Sequence, residues 1–104
     1  MNYVKPLIPP LVKTELREAN RKNPPFHSLH EGYAVLLEEI DETKEALDFL
    51  DFDRGLLWEY IKQDDMAQAM KQAKAIERQA VHLAAEAIQV AAMAEKFQVI
   101  GKEE

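Results

Sequence analysis

The stretch SLHEGYAVLLEEIDETKEALDFL, residues 28–50, decides how the chain is read. Ser28 followed three residues later by Glu31 is a capping box, in which each side chain satisfies an orphan backbone N–H at a helix start. Leu29, Tyr33, Leu36, Leu37, Ile40, Leu47 and Leu50 then recur at spacings of three and four, so one stripe of the helix is expected to face a core.

A step of about 100° per residue puts Glu38, Glu42 and Glu45 on the opposite side and Glu39 on the flank. Glu38, Glu39 and Glu42 therefore stand within one turn of each other. Exposed like charges at this spacing repel by a few tenths of a kcal/mol per pair, so helix propensity does not ask for them. A divalent cation reverses the sign. Mg²⁺ takes hard oxygen ligands and keeps several waters, which suits two or three carboxylates on one rigid face plus substrate phosphates. The same run also reads as a solvated acidic face, with Lys44 and the acid excess of the chain in keeping.

The chain around this stretch has 104 residues, the length of one domain spanning 1–104, and sits near the size at which oligomers complete a core. It holds only three glycines, is rich in Ala, Leu, Glu, Lys and Gln, and shows no strand-like alternation; an all-α fold is expected. A net charge of −6 argues against duplex nucleic acid as a ligand, because phosphate neutralisation draws on clustered Lys and Arg. The absence of Cys excludes a disulfide framework and thiolate chemistry, and fits a cytoplasmic protein. The apolar runs are broken well before about 20 residues and the N-terminus lacks an apolar leader core, so neither a membrane span nor a signal peptide is expected.

Towards the N-terminus, MNYVKPLIPP is expected to run extended until Pro9 and Pro10 open a helix, where their missing N–H is harmless. That helix, 11–23, offers Leu11, Leu16 and Ala19 as apolar contacts and ends before Pro24 and Pro25. Lys13, Arg17, Arg21 and Lys22 make a basic group that reads either as a receiver of polyanionic phosphates or as a solvated face with surface ion pairs. Phe26, His27 and His30 follow in the connector; Phe26 is a core contact or, near a phosphate site, a base contact.

Towards the C-terminus, DFDRG at 51–55 is expected to break the helix, with Asp51 or Asp53 capping a short one over LLWEYIKQ. Trp58 there is read as a core or subunit contact. Asp64 and Asp65 cap a last, long helical region ended by Gly101. Its second half, AVHLAAEAIQVAAMAEKF at 80–97, is apolar on most sides and Ala-rich, which suits the middle of a bundle. Glu86 stands alone in it. A buried carboxylate costs several kcal/mol unless paired, protonated or bound to metal. His82 and Gln89, four before and three after, give that helix a polar face able to close a site walled on the other side by Glu38, Glu39 and Glu42, although His82 alone also reads as an ordinary hydrogen-bonded histidine.

Two stretches, HSLHEGYAVLLEEIDE at 27–42 and AAEAIQVAAMAEKF at 84–97, resemble the MazG-type all-α nucleoside triphosphate pyrophosphohydrolases, in particular the short single-domain versions of bacterial and phage genomes. The family pattern is E-E-x-x-E on one helix and E-x-x-D on another. Glu38, Glu39 and Glu42 meet the first part; Glu86 meets the glutamate of the second, with Gln89 where aspartate is expected, and the gap between the halves is longer than usual. The resemblance, covering about 26–97, implies a four-helix MazG-like bundle completed by oligomerisation as a homodimer or homotetramer. It implies hydrolysis of a nucleoside triphosphate to monophosphate and pyrophosphate, with Mg²⁺ or Mn²⁺ as cofactor. Glu39, Glu42 and Glu86 would hold the metal, Glu38 would ligate or orient the attacking water, and Gln89 would supply a neutral ligand. Lys13, Arg17, Arg21, His30 and His82 are the candidates for contact with substrate. Two other readings share the fold: a degenerate homologue that binds nucleotide or a protein partner without catalysis, and a structural helical adaptor.

Overall fold

A computed structural model describes residues 3–102, and everything said of the structure concerns these. The chain is all-helical. A 3₁₀ turn, Lys5–Leu7, leads into three helices: α1, Ile8–Lys22; α2, Leu29–Lys62; and α3, Met66–Lys102. The expected extended N-terminal stretch is thus already turned at Lys5, with Pro6, Pro9 and Pro10 accommodated at helix starts; its first two residues lie outside the described region.

α2 begins where the capping box requires. The Ser28 hydroxyl accepts the Glu31 backbone N–H at 3.1 Å. The reciprocal half is shifted by one residue, because the Glu31 carboxylate accepts from the His27 backbone N–H at 3.4 Å and lies 3.1 Å from His27 Nδ1. That histidine contact holds the Glu31 carboxyl below its usual range, with the Lys96 charge a smaller contribution.

The expected break at DFDRG does not occur. α2 runs through it, so two of the four expected helices are one, and the chain forms three. The physical reason is local: Arg54 Nε donates to Asp51 at 2.8 Å one turn back, which absorbs the aspartate in an i,i+3 pair instead of a cap. The helix ends instead at Lys62, just before Asp64, the one non-glycine residue with positive φ, 54°, among those described. There the Asp64 N–H reaches the Ile61 carbonyl and the Asp65 N–H reaches the Tyr60 carbonyl, both at 3.0 Å, the two bonds of a Schellman motif. Asp65 then caps α3 by accepting the Gln68 N–H at 3.1 Å, and α3 continues through Gly101 to Lys102.

So tight a turn folds α3 back along α2. Helices of 34 and 37 residues are about 51 and 55 Å long at 1.5 Å per residue, and the molecule measures 61 × 28 × 25 Å. The seam between them is lined by small residues, Gly32, Ala46, Ala69 and Ala92, all buried, which lets the backbones approach closely. α1 packs on α3 and not on α2. It presents Val12, Glu15, Leu16 and Ala19 inwards, half-buried, while Leu11 is exposed. Lys13 forms an ion pair with Glu95 of α3.

One end of the hairpin is therefore three helices thick and the other only two. The apolar stripe expected to be buried along α2 is in large part open: Leu29, Tyr33, Leu37 and Leu47 are exposed, as are Phe49, Phe52 and Trp58 further on. The Ala-rich half of α3 likewise buries Ala92 and Met93 but exposes Ala84, Ala85, Ala87 and Ala91.

Two glycines in α2 test this packing in opposite directions. A methyl group at Gly55 meets nothing within 4 Å, so Gly55→Ala is expected to raise stability by about 0.4–1 kcal/mol by restricting the unfolded chain. At Gly32 a Cβ would stand 2.6 Å from the Phe97 ring, and Gly32→Ala should lower stability by about 1–3 kcal/mol through overpacking. Urea unfolding followed by circular dichroism checks both; a destabilising Gly55→Ala would contradict a continuous α2.

Candidate functional site

Glu39 and Glu42 lie one turn apart on α2, and Glu86 projects towards them from α3 across the seam. One carboxylate oxygen from each of the three lies within 4.8 Å of the others. Glu39 and Glu86 are half-buried, while Glu42 is exposed at the rim. The capped start of α2 and the turn at 63–65 together fix this register, because they set which residue of α3 stands opposite each turn of α2.

Two oxygens in the group, Glu39 Oε2 and Glu86 Oε2, are buried and have no hydrogen-bond partner among the described residues. An orphaned buried carboxylate oxygen carries its full desolvation cost. The Glu39 carboxyl is accordingly pushed above its ordinary value of 4.5, first by burial and then by the negative charges of Glu42, Glu86, Glu38 and Glu15.

The group fits a hard divalent cation. Its donors are all carboxylate oxygens, the ligand type Mg²⁺ and Mn²⁺ favour. Two oxygens on opposite sides of an ion with bonds of about 2.1 Å stand about 4.2 Å apart, so a spacing of up to 4.8 Å closes by small rotations at the ends of flexible side chains. The three carboxylates leave room for waters or phosphate oxygens on the exposed Glu42 side.

The other sequence candidates fall in several places. Glu38 is exposed and outside the converging group, though its charge acts on Glu39. Gln89 is half-buried one turn beyond Glu86. His82 Nε2 stands 3.5 Å from Glu86 Oε1, at the solvent edge. Among the basic residues of α1, Lys13 is held by Glu95, and Arg21 donates to Glu18 at 2.7 Å through its terminal nitrogen. Arg17 is exposed. His30 lines an open cleft with Leu29, Tyr33 and Phe97, away from the carboxylates in the first turns of α2.

No known protein family, characterised protein or solved structure matches this chain.

Two residues that the sequence reading passed over bear on it. Glu15 of α1 adds a fourth negative charge to the field on Glu39; its signal was present, since Val12, Glu15, Leu16 and Ala19 make an i, i+3, i+4, i+7 face with one carboxylate in it. Lys96 is the other. It is 5% exposed, the most deeply buried charged residue described, and nothing in its spacing sets it apart from a surface lysine.

Proton linkage at Glu39 has a definite sign. Its folded-state pKa lies above its unfolded one, so in the interval just above pH 4.5 the folded chain binds more protons. Stability then falls as pH rises through that interval. In metal-free buffer, Glu39→Gln is expected to flatten this fall and to leave the protein more stable than the native chain at pH 7. Urea midpoints across pH 4 to 8 check it, and an unchanged slope with a less stable variant would contradict the assignment.

Proposed function

We propose that this chain is a Mg²⁺- or Mn²⁺-dependent nucleoside triphosphate pyrophosphohydrolase of MazG type, releasing nucleoside monophosphate and pyrophosphate. The observation that carries the reading is the convergence of Glu39, Glu42 and Glu86 from two helices, with buried oxygens left unpartnered. The E-E-x-x-E pattern and the glutamate of E-x-x-D, placed on these same positions, support it.

When bound, the metal supplies Lewis-acid polarisation of phosphate oxygens and charge neutralisation, the main demands of phosphoryl and nucleotidyl transfer. Glu39, Glu42 and Glu86 hold it. Glu38, one residue from Glu39 and solvent-exposed, orients the attacking water at the rim. Gln89 contributes a neutral amide oxygen where a second carboxylate on α3 would otherwise stand. His82 steadies the Glu86 carboxylate from the solvent side, and exposed Arg17 is the α1 cation this reading offers to a triphosphate, since Lys13 and Arg21 are paired with Glu95 and Glu18. The chain offers no nucleophilic Cys, and its one serine caps α2, so direct attack by water is the consistent route.

The working unit in this reading is a dimer or tetramer in which a second hairpin covers the two-helix end, giving four helices around a shared core. Phe49, Phe52 and Trp58 are all more than half exposed on that end, a larger apolar exposure than isolated surface residues account for.

The test is pyrophosphate release from a panel of ribo- and deoxyribonucleoside triphosphates with Mg²⁺ or Mn²⁺, measured across size-exclusion fractions. Turnover is expected in a fraction of at least twice the chain mass, and a Glu39→Gln, Glu42→Gln double variant should lose it by a factor of about 10² or more while staying folded. No turnover on any nucleotide by well-folded native protein would overturn the enzymatic reading, leaving the non-catalytic binder.

A further inference from the structure

Lys96 is buried at the three-helix end, with α1, the 23–28 connector and the first turns of α2 around it. Its ammonium makes no hydrogen bond and no ion pair within 4 Å among the described residues. What it faces is an aromatic ring, that of Phe26, whose centroid lies 4.9 Å from Nζ. Its charge acts on the Glu31 carboxyl, both oxygens of which are turned to His27. The aliphatic stem of Lys96 is buried while its ammonium keeps access to solvent, with the ring face as its described contact.

The space beside it is not filled. Two cavities of about 240 and 270 Å³ share Lys96, Phe26 and Asn23 as walls. The first continues along Asn20, Pro25, Val99 and Ile100. The second runs past Pro24, Val35 and Met93. Each is larger than the roughly 150 Å³ apolar cavity that accepts a benzene ring. Apolar walls, two asparagine amides, the Lys96 ammonium and, on the second cavity alone, the Glu31 carboxylate make the balance expected of a small-ligand pocket, where a few polar groups orient a mostly apolar guest.

We propose that the Lys96–Phe26 pocket is a binding site for a small organic anion, its carboxylate or phosphate paired with the Lys96 ammonium and its ring-sized body lying against Phe26. The site is separate from the carboxylate cluster. Lys96, which anchors the pocket, follows Glu86 by ten residues, about 15 Å along α3, and the nearest wall residue on α2, Val35, stands one turn before Glu39. The guest therefore needs no metal, and the pocket stands whether or not the hydrolase reading does.

Benzoate and phenyl phosphate are the probes, inorganic phosphate and benzylamine the controls, titrated into the full-length, metal-free protein under ¹⁵N-resolved NMR. Saturable binding of either organic anion in the millimolar range or tighter is expected, with the largest shifts at Asn23, Phe26 and Lys96; which of the two binds more tightly identifies the charged end. Lys96→Met, nearly isosteric, should weaken that binding at least about tenfold. Asn20→Asp, which sets a negative charge at the mouth and leaves Lys96 in place, should weaken it too, and serves if Lys96→Met does not fold. The proposal is overturned if neither anion saturates, if benzylamine or inorganic phosphate binds as well as the organic anions, or if folded variants bind like the native chain.

Discussion

Helices of 34 and 37 residues joined by the turn at 63–65 have to pack against each other along most of their length, and that antiparallel seam is what the rest of the structure depends on. Neither helix is stable on its own apolar stripe, since most helical stability in water comes from packing an amphipathic face. The seam closes because Gly32, Ala46, Ala69 and Ala92 are small. Its register is pinned at both ends, by Ser28 on the Glu31 N–H and by the Schellman pair at Asp64 and Asp65. A slip by one residue would turn each inward side chain by about 100°, and Glu86 would no longer meet Glu39 and Glu42.

The same seam that requires small apolar residues carries two half-buried carboxylates facing each other. That is a local conflict with folding, where like charges and unpartnered oxygens lower stability and raise the Glu39 pKa. Conflicts of this kind concentrate at functional sites, because selection for stability alone removes them. A divalent cation held there would resolve this one. Lys96, at the three-helix end, is a buried lysine whose ammonium has no ion-pair partner within 4 Å among the described residues and whose charge acts on Glu31.

Much of this was legible in the residues. The all-helical class followed from composition and spacing; the start of α2 followed from Ser28 and Glu31, and the cap at Asp65 from its position before an uninterrupted run. Glu86 announced itself as a lone carboxylate in an Ala-rich segment, and its convergence with Glu39 and Glu42 is what the structure adds. The misread break at 51–55 shows where local rules give out: Asp-Phe-Asp-Arg-Gly holds capping residues and a glycine, but Asp51 is taken up by Arg54 and packing on α3 carries the helix through. The stripe on α2 was read from periodicity, which says which residues share a face and not whether a partner covers it. Phe49, Phe52 and Trp58 remain exposed because this chain has only two helices at that height, and Leu29 and Tyr33 because α1 packs on α3 and leaves that face of α2 open. Glu15 and Lys96 were missed for a related reason, since their surroundings are made by residues from other helices.

The central claim, that Glu39, Glu42 and Glu86 form a divalent-cation centre, is tested most directly by Mn²⁺ binding measured by electron paramagnetic resonance, without nucleotide, at neutral pH. Loss of the free-ion signal with a single saturable site per chain, abolished in the Glu39→Gln, Glu42→Gln variant and displaced by Mg²⁺, is the expected result. A free-ion signal untouched by native protein, or reduced equally by the variant, would contradict it.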